Sequence, residues 1–182
     1  MILQTERLIL RPWTDSDAAS LFTYAGDPAV GPAAGWPPHK DEAESLHIIQ
    51  KVFNSPECYA ICEKDSGLAI GAIELKVGER TDMTDRTDEC ELGYWLGRPF
   101  WGRGYMPEAV SAILRHGFID LGMRTVWCGY YDGNEKSRRV QEKAGFVYHH
   151  TCDAVPVPLL GEIRVGHTSY MTREHWQKLQ EK

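Results

Sequence analysis

The sequence predicts an α/β protein: a mixed sheet with a parallel component arranged around one long helix. Two observations carry that expectation. Runs of apolar alternation mark strands, and longer runs of helical period lie between them. Their order, two helices and ββ followed by βαβαββ, implies a mixed sheet. Length and composition set the scale: 182 residues, 42% hydrophobic and 25% charged, fit one globular domain over 1–182 that can bury a core.

Leu8 and Leu10 alternate with Arg7, Ile9 and Arg11 before Pro12, which gives a first strand stopped by a residue with no N–H for the ladder. Asp15 or Ser16 caps a helix whose stripe is Ala18, Leu21, Phe22 and Ala25, and Gly26 ends it as a residue able to turn left-handed. Residues 27–38 (DPAVGPAAGWPP) read as a loop. A second helix is expected from near Asp41 to about Asn54, with Ala43, Leu46, Ile49 and Phe53 inward and Pro56 closing it. The segments CYAICE and LAIGAIEL, joined by Lys64, Asp65, Ser66 and Gly67, form a hairpin. Residues 78–88 are polar and expected to be exposed and mobile.

ECELGYWL, 89–96, reads as the fourth strand and leads through RPFWGRGYMPEA into the long helix. Val110, Ile113, Leu114, Gly117, Phe118 and Leu121 form its apolar face, and Gly122 ends it. A fifth strand, 125–130, turns at Asp132-Gly133-Asn134 into a short helix that stops at Gly145. Phe146 opens a sixth strand, 154–161 loops out, and a last strand at roughly 163–171 packs near Trp176.

Charge and cysteines exclude several classes. Twenty Lys plus Arg against 26 Asp plus Glu leave a net charge of −6, which argues against a general binder of nucleic acid or anionic membranes. No apolar run approaches the roughly 18 residues of a membrane span, and MILQTERLILRPW lacks a basic leader ahead of a long apolar stretch. The expected location is the cytoplasm. Five cysteines, an odd number without a CxxC pair, read as reduced and mostly buried thiols. Cys58 and Cys62 have no second pair at finger spacing and His149 and His150 are adjacent, so no metal site is expected.

The most informative stretch is Trp101-Gly102-Arg103-Gly104-Tyr105-Met106. Two glycines between a strand and a helix let backbone N–H groups converge on an anion beside the helix N-terminus. A dinucleotide fingerprint needs a third glycine where Pro107 stands, and a nucleotide P-loop needs Gly-Lys-Ser/Thr, so a different phosphorylated ligand is called for.

Downstream lie Asn134, Ser137 and the run Lys143 to Phe146 (KAGF). The ordered set ELGYWL, FWGRGYMPEAV, N..S.RV.EKAGF, with TERLILRPWTDSDA at the start, resembles the GNAT superfamily of acyl-CoA N-acetyltransferases. It is most similar to the subgroup that acetylates the N-terminal amines of ribosomal proteins. The resemblance covers nearly the whole chain and implies the acyltransferase fold, with about seven strands and about four helices. It also implies acetyl-CoA as co-substrate, its pyrophosphate on the glycine turn and its pantetheine amides on the strand edge at Tyr94, Trp95 and Leu96. Arg103 adds charge for the phosphates. At the turn the family pattern is Gln/Arg-x-x-Gly-x-Gly/Ala. This chain departs from it with Trp101 at the first position and Met106 at the last, which leaves the N–H cradle intact and puts a long side chain at its end.

Transfer to an amine needs a proton acceptor, a polarised carbonyl and a proton for the departing thiolate. Glu91, or Glu89 on the same face at period two, can take the amine proton, directly or through a water, and a strand N–H can polarise the carbonyl. Asn134 caps the following helix and, by the resemblance, also bonds pantetheine; Ser137 lies where the resemblance puts the sulfur. Gln141 and Glu142 stand near where many relatives carry a tyrosine. His149, His150 and His167 are candidates for the acceptor cleft or simple surface residues, and Trp36 is either an acceptor wall or an apolar anchor. Glu108, in the first turn of the long helix, reads as structural and facing away from a phosphate.

The expected activity is transfer of acetyl from acetyl-CoA to a primary amine, by direct attack in a ternary complex. The acceptor is a protein N-terminus or a small molecule, and the enzyme a monomer or homodimer. The competing class is a non-catalytic acyl-CoA sensor, which the departures at Trp101 and Met106 and the missing helix tyrosine keep open.

Overall fold

Strict alternation builds the sheet from its first long strand. In β2 (Leu8–Pro12) Leu8 and Leu10 are fully buried, while β1 (Leu3–Gln4) is a two-residue edge paired to it. The computed structural model describes residues 1–181. It continues with β3 (Cys58–Glu63), β4 (Ala69–Val77), β5 (Glu89–Leu96), β6 (Thr125–Tyr131), β7 (Val147–Val157) and β8 (Glu162–Thr172). All join one sheet in the order β1-β2-β3-β4-β5-β6-β8-β7. Every neighbouring pair is antiparallel except β5 with β6.

Helices cover both faces: α1 (Ala18–Ala25), α2 (Gly31–Ala34), α3 (Glu42–Lys51), α4 (Tyr105–Arg115), α5 (Glu135–Ala144) and α6 (Arg173–Gln180). On one face Val110, Ile113, Leu114 and Phe118 pack against Leu8, Ile73, Cys90 and Leu92. On the other Ala18, Leu21, Ala25 and Ile49 pack against Ala60, Cys62 and Ala72. The small residues on that second face let α1 and α3 lie close to the sheet. After α4 the chain widens into a π turn, His116–Asp120. There the buried His116 ring places Nε2 at 2.8 Å from Glu57 and Nδ1 at 2.9 Å from Asp120.

Several expectations change. The described residues form eight strands and six helices, adding β1, the four-residue α2 inside the expected 27–38 loop, and the terminal α6. The first half of the expected loop at 154–161 is strand: β7 runs on to Val157, with Pro156 opposite Ile163, and only 158–161 turn. An outermost strand tolerates proline, because the missing N–H costs no ladder bond on its free side. Gly26 ends α1 in right-handed geometry, φ −74°, so its use is close packing: an added Cβ would come within 2.8 Å of the Phe22 carbonyl. The second long helix stops at Lys51, short of Asn54.

The parallel seam places the site. β5 pairs with β4 from Cys90 to Leu96, yet meets β6 only over Glu89–Leu92 against Thr125–Cys128. Beyond that point Gly93 to Leu96 stay with β4 and Gly129 to Tyr131 stay with β8. The two strands open into a V whose mouth lies between the N-termini of α4 and α5.

Candidate active site

The glycine turn forms the first wall. Gly102 and Gly104 take φ +75° and +79°, a left-handed conformation natural only to glycine. Gly104 is the N-cap of α4. The backbone N–H groups of Gly102, Arg103, Gly104, Tyr105 and Met106 find no acceptor among the described residues. Five consecutive free donors at a helix N-terminus make an anion-binding concavity. Tyr105 and Met106 are buried and their side chains join the core under α4, so the long Met106 side chain leaves the cradle clear. Tyr105 donates to Glu63 at 2.7 Å.

Charges around the turn are sorted by direction. Glu108 is held on the outer side by Arg7 at 2.6 Å and by the Thr5 hydroxyl and Arg7 N–H. Burial pushes the Glu108 carboxyl up, but those bonds prevail and hold it below the ordinary range. Arg103 is exposed, stacks over Phe100 at 5.8 Å and makes no ion pair with a described residue. Trp101 closes the turn against the sheet: its indole N–H donates to the Leu96 carbonyl at 2.7 Å, and Lys136 lies 4.4 Å over its ring.

The open β5 edge is the second wall. The Gly97 N–H bonds Ile70 of β4, so by alternation the backbone groups of Trp95 face β4 and those of Tyr94 and Leu96 face the V. The Leu96 carbonyl is taken by Trp101; the Tyr94 groups are not. The Tyr94 side chain reaches α5, its hydroxyl 3.0 Å from Ser137 Oγ and 3.2 Å from the Ser137 carbonyl. Burial pushes the Tyr94 phenol well above the usual tyrosine range. Gln141 donates to the Gly129 carbonyl of β6 at 3.1 Å, wedging the V open from the other side.

Asn134 is the N-cap of α5, its Oδ1 accepting from the Ser137 N–H at 3.2 Å. Its amide NH2 donates one proton to the Ala33 carbonyl of α2 at 3.1 Å and keeps the second for another acceptor. Beside it is a cleft of about 320 Å³ lined by Ala33, Tyr131, Asp132, Asn134, Lys136 and Arg164. A groove of about 310 Å³ near Thr5, Glu108 and Trp176 lies on the outer side of α4, away from the cradle.

Glu91, Gly93 and Trp95 project to the opposite face from Tyr94. Glu91 is buried and bonded through both oxygens, to Lys76 at 2.6 Å and Thr81 at 2.8 Å. Burial pushes the Lys76 ammonium down, and Glu91 more than reverses it, leaving Lys76 above the ordinary lysine range. Glu89 accepts from Trp127 at 2.6 Å and Thr84 at 2.8 Å. Residues 78–88, expected to be exposed and mobile, thus supply a hydroxyl to each carboxylate, Thr81 to Glu91 and Thr84 to Glu89. Trp36 stacks edge-on against Trp95 at 5.7 Å and anchors the α2 segment over that face.

His167 stacks on Tyr130 of β6, beyond the paired part of the seam, at 4.8 Å. His149 touches Trp127 and His150, and His167 bonds Asp132 at 3.0 Å and Thr151 at 2.9 Å on the outer hairpin. Lys76, Thr81 and the Tyr94 hydroxyl escaped the sequence reading. Strand alternation alone puts Lys76 and Glu91 on facing strands, but only the register, Lys76 opposite Glu91, makes them partners.

Comparison with known proteins agrees with this geometry. The family model for the acetyltransferase (GNAT) domain matches residues 7–147. The chain is 29% identical over 129 residues to the N-acetyltransferase p20 of Bacillus licheniformis, covering 68% of this chain and 70% of p20. Its fold is similar to that of a GNAT-family acetyltransferase from Bacillus anthracis, at TM-score 0.82 and 19% identity over 96% of this chain and 99% of that one. A ribosomal-protein-S5-alanine acetyltransferase from Vibrio fischeri matches at TM-score 0.75 and 19% identity, over 97% and 98%. With the family model spanning more than three quarters of its length and the glycine cradle beside a half-paired parallel seam, the chain belongs to the GNAT family of acetyltransferases.

Proposed function

We propose that the protein carries acetyl from acetyl-CoA to a primary amine, the N-terminus of a ribosomal or other protein, by direct attack in a ternary complex. The observation that carries the reading is the run of five free N–H donors from Gly102 to Met106 beside the unpaired Tyr94 edge. A pyrophosphate fits the donors, and pantetheine amides fit a strand edge that lacks its neighbour. Arg103, Lys136 and Arg139, none of them ion-paired with a described residue, add attraction for the phosphates. Acetyl-CoA supplies the activated thioester. This chain's part is to seat it, polarise its carbonyl with a β5 N–H, take the amine proton at Glu91 and hydrogen-bond the leaving sulfur from Ser137.

The N-terminal acceptor is supported by likeness to the S5-alanine acetyltransferase and by the net charge of −6, which favours basic ribosomal partners. Calorimetric titration with acetyl-CoA, with coenzyme A, ATP and NAD alongside, tests the cradle; selective binding of the two coenzyme A species is expected. Peptides beginning with alanine or serine, compared with a polyamine, then test the acceptor. No binding of either coenzyme A species would withdraw the reading, and turnover with the polyamine alone would withdraw the N-terminal acceptor.

A further inference from the structure

Under the first turns of α5 lies a closed set of hydroxyl and amide groups that the reading above uses only at Ser137. Tyr94 Oη is 3.0 Å from Ser137 Oγ and 3.2 Å from the carbonyl oxygen of the same residue. Gln141, one turn along, approaches Ser137 Oγ with Nε2 at 3.4 Å and accepts from the Ser169 hydroxyl through Oε1. Gln141 and Ser169 are 3% and 5% exposed, while Tyr94 and Ser137 are half-buried at the edge of the V.

Bonding capacity limits how these groups can be arranged. A carbonyl only accepts, and each hydroxyl has one proton to give. When the phenol proton points to the Ser137 carbonyl, the serine proton points back to Tyr94 Oη. When the phenol proton turns to Ser137 Oγ, the serine proton is released for an acceptor in the V. Both arrangements use the same heavy-atom positions, so the change is a rotation of two O–H bonds.

We infer that Tyr94 is a positioning residue: by turning its hydroxyl from the Ser137 carbonyl to Ser137 Oγ, it frees the serine O–H to hydrogen-bond the coenzyme sulfur as that atom gains negative charge. No covalent bond at Tyr94 breaks. Burial keeps the phenol protonated throughout. A hydroxyl that itself accepts a hydrogen bond is a stronger donor, because the chain polarises each member. The inference rests on the proposed seat of coenzyme A in the V and the sulfur near Ser137.

The test needs no acceptor amine. Coenzyme A is bound to the wild-type protein and its thiol titrated by thiolate ultraviolet absorbance, with the desulfo-coenzyme A complex as the blank for the protein's own cysteines and tyrosines. The thiol bound to wild type should ionise about one pH unit lower than when bound to Tyr94→Phe, a tenfold change in its ionisation constant. Ser137→Ala should raise it likewise, and Tyr94→Phe/Ser137→Ala should match Ser137→Ala. Equal values in wild type and Tyr94→Phe, or a Tyr94→Phe effect that persists without Ser137, would overturn the positioning role while leaving the proposed function intact. Loss of desulfo-coenzyme A binding in Tyr94→Phe alone also counts against it, since the oxygen would then serve the slot and not the serine. Failure of the wild type to bind coenzyme A would overturn both.

Discussion

Asp17 and Glu91 are both buried carboxylates with a cationic partner, and their surroundings give them different work. Asp17 takes Arg11 bidentately at 2.7 Å and also accepts from the Thr14 N–H and hydroxyl. Burial pushes its carboxyl up, yet the Arg11 and Thr14 bonds outweigh this and hold it below the ordinary range. A depressed folded value stabilises fully above the unfolded value, about pH 3.9, and that contribution is lost as pH falls through the folded one. Asp17→Asn should therefore cost about 2 kcal/mol at neutral pH, discounted because Arg11 is partly exposed, and should flatten the acid decline of the melting temperature. A decline identical to wild type would place acid sensitivity elsewhere. Glu91 has two partners, Lys76 and Thr81, one on each oxygen, and in the proposed reaction it takes the amine proton. Lys76, held cationic by Glu91, cannot serve as the base near neutral pH. Glu91→Gln should lower kcat by about 10²-fold and displace the rising limb of its pH profile. An unmoved limb would assign the proton to Glu89 or to water.

Among the elements, the N-terminus of α4 has a shape that depends on single residues. A Cβ at Gly104 would sit 3.4 Å from an Arg7 nitrogen, an ordinary contact, so the obstacle to substitution is its φ of +79°. Gly104→Ala should cost about 1–2 kcal/mol of stability by forcing a left-handed β-carbon. If the loop relaxes to avoid that strain, its N–H groups no longer converge, and acetyl-CoA affinity should fall about tenfold by calorimetry. Full affinity in a protein that carries the stability loss would show that the donors tolerate the change and the cradle lies elsewhere. The π turn after α4 has no counterpart at the N-terminus. It points His116 inward between two carboxylates, joining the far end of the helix to the Glu57 segment before β3.

At the scale of the molecule, what the sequence made legible was whatever depends on one segment alone. Leu8 and Leu10 on β2, the stripe along α4 and the positive-φ glycines of the turn follow from period and backbone sterics. Features that depend on register did not appear: the Lys76–Glu91 pair, and Tyr94 beneath Ser137, join residues 15 and 43 positions apart. β7 was partly missed because most of it is exposed, so no alternation marks it, and Pro156 reads as a breaker anywhere but at an edge. The four residues of α2 are too few to show a period. Among the described residues four pairs stitch β5 to β6, and that short seam is the single direct strand pairing between β1–β5 and the remaining three strands. The sheet is thus a zipper stopped partway, with hydrogen-bonding capacity beyond the stop that the chain cannot satisfy with its own strands. A molecule carrying two or three amides could continue the ladder and tie both halves together, so recognition and mechanical reinforcement would be one event.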